Sequence, residues 1–88
     1  MTCYVISFEP RGEGAHRAIR EQLKTLSSYC PINAYCWAVV TDMSAKELRD
    51  YIKDVSPESR LFVVRSGTEA AWRNGYGVSN SEWLKKHL

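Results

Sequence analysis

Residues 3–14 read CYVISFEPRGEG, and the reading of this stretch decides the fold of the whole chain. Tyr4, Ile6 and Phe8 alternate with Cys3, Val5, Ser7 and Glu9, the two-residue period of a strand covered at least partly on both faces. Pro10 has no N–H to give to a ladder, so the strand is expected to end with Glu9 at its carboxyl end. Arg11, Gly12 and Gly14 then turn the chain into a helix. In an open sheet with helices packed on it, ligands collect at the carboxyl end of a central strand. Glu9 is therefore the first candidate for chemistry.

Working outward, Ala15, Ile19, Leu23, Leu26 and Cys30 recur at helical spacing and predict a first helix, with Pro31 closing it. Arg17, Arg20 and Lys24 share another face; a solvated surface is the plainer reading, a phosphate-binding ridge the functional one. Residues 33–42 read as one bent strand or two short ones. Tyr35, Trp37, Val39 and Thr41 point one way, and Cys36, Ala38 and Val40 the other. The small residues are expected to face the helices. The aromatic face then needs a cover: a second copy of the chain, the C-terminal segment, or stacked bases.

Ser44-x-x-Glu47 is a capping box opening a second helix, whose apolar stripe is Ala45, Leu48, Ile52 and Val55. The charges around that stripe are mixed in sign and read as surface. Residues 56–58 form a loop, and residues 61–64 form a short strand flanked by Arg60 and Arg65. A helical turn is expected over 68–72 and a tight turn over 74–77. Ser79-x-x-Glu82 then caps a C-terminal helix carrying Trp83, Leu84 and Leu88, with Trp72 and Trp83 as apolar anchors. The order is that of a ferredoxin-like α+β sandwich, βαββαβ, with strand one inside the sheet and a helix appended. It occupies residues 1–88 as a single domain.

Composition narrows the function classes. With 88 residues, 44% hydrophobic and 25% charged, this is the composition of one ordinary globular domain. No run is long enough to span a bilayer and no secretion signal opens the chain, so a cytoplasmic location and no membrane partner are expected. The net charge of +2 permits a nucleic-acid partner without arguing for one. Cys3, Cys30 and Cys36 are odd in number and have no C-x-x-C spacing, which fits a reducing compartment and matches no common zinc site.

Several pieces resemble the SinR-like small proteins: residues 4–9 (YVISFE), 37–41 (WAVVT), Ser44-Ala45-x-Glu47-Leu48, 61–64 (LFVV), 69–72 (EAAW) and 83–88 (WLKKHL). Together they span most of the chain. That group is similar in turn to the small CRISPR-associated protein that partners the integrase in spacer capture, and to the virulence-associated protein D toxins, which cleave RNA. The resemblance implies a homodimer formed through the sheets, with Tyr35, Trp37 and Val39 in its seam. It also implies an acid at the end of strand one, one per subunit, holding a divalent metal for phosphodiester cleavage. Glu9 stands at that position, where family members usually carry Asp; Glu is one methylene longer, and Mg²⁺ tolerates little departure from its octahedron.

The enzymatic expectation is thus a Mg²⁺-dependent endonuclease acting on RNA or DNA. Glu9 would be both metal ligand and catalytic group, with Ser7 and Arg11 positioning a phosphate and His16 available for acid–base work. His87, next to last, is expected to be inert. The alternative is a dimeric scaffold on which Arg11, Arg17, Arg20 and Lys24 meet the phosphates of a nucleic acid or the surface of a protein partner. An RNA-cleaving toxin chemistry without metal is a third possibility.

Overall fold

The structure, a computed structural model, describes residues 1–67 and 78–87. The turns expected over 68–72 and 74–77, Trp72 and Leu88 lie outside the described residues. The elements run β1 (Thr2–Glu9), α1 (Ala15–Leu23), β2 (Ser28–Asn33), β3 (Cys36–Thr41), α2 (Ala45–Lys53), β4 (Arg60–Arg65) and α3 (Val78–His87). The strands form one four-stranded sheet in the order β2-β3-β1-β4. Every pairing in it is antiparallel. This α+β arrangement is compatible with a small ferredoxin-like fold, and β1 is an inner strand as expected.

Alternation along β1 sets the two faces. Tyr4, Ile6 and Phe8 point into the main core beneath α1 and α2, joined by Trp37 and Val39 from β3 and by Leu61 and Val63 from β4. From above, α1 lowers Ile19 and Leu23 and α2 lowers Leu48 and Ile52, all four fully buried. The Ser44 capping box is complete: Ser44 Oγ accepts from the Glu47 N–H at 3.2 Å, and Glu47 Oε1 accepts from the Ser44 N–H at 3.0 Å.

Three expectations are corrected. First, α1 ends at Leu23, and residues expected in its last turn form β2 instead. Pro31 does not close a helix; it sits in an edge strand, where its missing N–H costs no ladder bond, and the pairing is irregular between Pro31 and Asn33. Second, Trp37 and Val39 are buried under the helices, at 2% and 0% exposure, and are not on an open face. The large residues fill the wide space below two helices. The small ones, Cys30 and Ala38, lie on the other face and let α3 approach closely through Leu84 and Trp83. Small residues do mark a face pressed by a helix, but the helix is the C-terminal one. Third, α3 starts at Val78, so Ser79 falls inside its first turn and is not the cap. The C-terminal segment, one of the covers expected for the aromatic face, lies instead on the small-residue face, against Cys30 and Ala38 of β2 and β3. Trp83 Nε1 donates to Ser28 Oγ at 2.8 Å, and the His87 ring lies 4.3 Å from the Trp83 ring.

Among the described residues, that face is most exposed along β4. Phe62 and Val64 stand out from β4 there.

Candidate functional site at the end of β1

Glu9 is the last residue of β1 and faces Arg60, the first residue of β4, across the antiparallel pair. The following loop brings a second guanidinium back onto it. Gly12 and Gly14 hold φ of 98° and 75°, a conformation natural to glycine, and Gly14 stands at the N-terminus of α1. The Arg11 N–H donates to Ser59 Oγ at 2.9 Å, and Ser59 shares a 2.6 Å hydrogen bond with Ser56, which anchors the loop to the turn before β4. Anchored there, Arg11 donates from Nη2 (3.2 Å) and Nε (3.3 Å) to Glu9 Oε2, and Arg60 Nε lies 3.4 Å from the same oxygen. All three side chains are about half exposed or more. Each pair is therefore worth less than about 1 kcal/mol, little enough for a phosphate to draw either guanidinium away.

On the helix side of Glu9 lies a cleft of about 450 Å³ lined by Phe8, Glu9, Pro10, His16 and Tyr35. Tyr35 sits in the β2–β3 turn. Its N–H donates to Asn33 Oδ1 at 2.9 Å, and its carbonyl accepts from the Phe8 N–H at 2.9 Å. His16, in the first turn of α1, donates from Nε2 to the Ala34 carbonyl at 2.8 Å, which makes Nε2 the protonated nitrogen and leaves Nδ1 as the acceptor in the neutral ring. Strand, turn and helix are locked together at this corner. The rings of His16 and Tyr35 are 5.2 Å apart and splayed by 45°, with Phe8 behind both.

Of the residues singled out in the sequence, Glu9, Arg11 and His16 meet here. Ser7 shares the opposite face with Glu9 and lines a smaller cleft with Arg60 and Phe62. Arg20 stands one helical turn beyond His16 and lines a third cleft with it. Arg17 on α1 and Lys24 just past its end are exposed, Lys24 within 3.9 Å of Glu21. Tyr35 is exposed, while Trp37 and Val39, grouped with it in the sequence, are internal.

Arg60 was not singled out, although a signal existed. A strand antiparallel to β1 begins where β1 ends, so the basic residue opening β4 had to fall beside Glu9.

Among the described residues no three His, Cys, Asp or Glu side chains converge, and the Glu9 oxygen Oε2 is shared by two guanidiniums. Burial pushes the thiols of Cys3, Cys30 and Cys36 up, more strongly than a Ser66 hydrogen bond lowers that of Cys3. Among the described residues no helix is long and apolar enough to cross a membrane. Comparison with protein-family models and with curated proteins finds no match for this chain.

Proposed function

We propose that the chain is a cytoplasmic ferredoxin-like domain of the SinR-like group that binds nucleic acid, as a homodimer, at the corner where β1 ends. The observation that carries this reading is the convergence of Arg11 and Arg60 on one carboxylate. Both guanidiniums share one carboxylate oxygen, with Glu13 and Glu58 in the adjoining cleft beside Arg11, and they are held so weakly that phosphate can take them over. The second chain would meet the surface that is exposed: Phe62 and Val64 on β4. Trp37 and Val39 have no part in such a seam.

A second reading, the Mg²⁺-dependent endonuclease implied by the family resemblance, is favoured by one specific observation. Glu9 is well exposed at the carboxyl end of an inner strand, with Ser7 on one side and His16 on the other. The deciding experiment incubates purified protein with labelled single-stranded RNA and with duplex DNA, in Mg²⁺ and in EDTA, alongside Glu9→Gln. Binding without cutting, retained or strengthened in Glu9→Gln, is the expected result. Cutting that needs both Mg²⁺ and Glu9 establishes the endonuclease instead. Cutting that ignores EDTA and Glu9 points to metal-free chemistry and to His16. No binding to either substrate overturns the proposal.

A further inference from the structure

Three clefts adjoin one another around the end of β1. The first, about 170 Å³, holds Ser7, Arg60 and Phe62 and shares Phe8 and Glu9 with the central cleft. The central one shares His16 with the third, about 160 Å³, which holds Arg20 and Asn33. The line therefore runs from cation through aromatic to cation.

Tyr35 is the centre of that line and an unusual surface residue. The residue is 55% exposed, yet its backbone is tied on both sides, to Asn33 and to Phe8. A flat, exposed ring on a fixed backbone loses little freedom when something stacks on it. The charges beside it select the ligand. The cleft on one side carries Arg60 and the cleft on the other carries Arg20, so cations flank the ring at both ends. A ligand with a flat ring and an anionic tether meets attraction at both parts. Glu9 Oε1 receives neither guanidinium, since both lie on Oε2, and can accept from a ring N–H.

Resting on the nucleic-acid reading above, we propose that the Tyr35–His16 cleft seats one unpaired base of a single strand. The flanking phosphates reach Arg60 and Arg11 on one side and Arg20 on the other. A base inside a duplex has both faces covered by its neighbours and cannot stack on Tyr35, so the site takes single strands.

The test is fluorescence anisotropy with a short fluorescein-labelled single-stranded oligonucleotide and with the same sequence as a duplex. Wild type, Tyr35→Ala, Tyr35→Phe and Arg20→Gln are compared, each with its thermal midpoint. The single strand is expected to bind at least about tenfold tighter than the duplex. Tyr35→Ala should lose about tenfold, and Tyr35→Phe should keep the affinity because the ring remains. Arg20→Gln should reduce the slope of log affinity against log salt by about 0.7. Should Tyr35→Ala prove unfolded, Tyr35→Phe and Tyr35→Leu replace it, since leucine keeps bulk and loses the stacking face. Binding of duplex as tightly as single strand, indifferent to Tyr35, overturns this inference and leaves the nucleic-acid reading standing. Failure of every oligonucleotide to bind overturns both.

Discussion

Gly14 is where backbone chemistry and the site meet. Its φ of 75° starts α1 in the direction that puts His16 beside Tyr35. A Cβ there would touch nothing within 4 Å, so the cost of Gly14→Ala is conformational alone, about 1 kcal/mol in a denaturant melt. A loss several times larger would mean that packing and not dihedral angle selects glycine. Glu47 carries a second residue-scale prediction. The Ser44 N–H bonds to its carboxylate and holds its pKa below the usual 4.5. A carboxyl lowered in the folded state stabilises the fold above 4.5 and loses that contribution as pH falls through its folded value. Wild type should therefore exceed Glu47→Gln in urea midpoint near neutral pH, and the gap should close in strong acid. The three thiols, raised by burial, should react slowly with a thiol-alkylating reagent near neutral pH in the folded protein and quickly in denaturant.

At the scale of elements, the aromatic residues of β3 and its turn part company. Trp37→Ala should cost about 3–5 kcal/mol by emptying the core beneath α1 and α2. Tyr35→Ala should cost far less, because the residue is exposed; equal losses in a melt would contradict the assignment of faces. The inner strand, α2 with its cap, and β4 were legible in the sequence because each carries a clean period and an unambiguous stop. Residues 24–31 were not. Leu26 and Cys30 continue the spacing of α1, and Pro31 imitates a helix end, while only the pairing of β2 with β3 reveals an edge strand that tolerates proline. The two faces of β3 were exchanged for a related reason. Residue size tells that some helix presses on the small side, and only the fold tells which one. Of the site, Glu9, Arg11 and His16 were readable from one loop. Arg60 arrives from 51 positions away through strand register.

Across the whole molecule, the sheet separates two kinds of surface. One face is filled by the core under α1 and α2; the other is half covered by α3, leaving Phe62 and Val64 open on β4. If that strip is the homodimer seam, Phe62→Lys should shift the protein from dimer to monomer in sedimentation without changing its melting transition; a wild-type monomer at every concentration tested would exclude the seam. The proposed binding corner lies at one end of the same sheet, so a dimer would carry it twice.

The most direct test of the central claim is a salt titration of single-stranded oligonucleotide binding by wild type and by the Arg11→Gln, Arg60→Gln double variant. The account predicts that affinity falls linearly in log salt, and that the double variant has a shallower slope by about 1.4, two phosphate contacts fewer. A flat salt response in wild type, or a slope unchanged by the loss of both arginines, would contradict it.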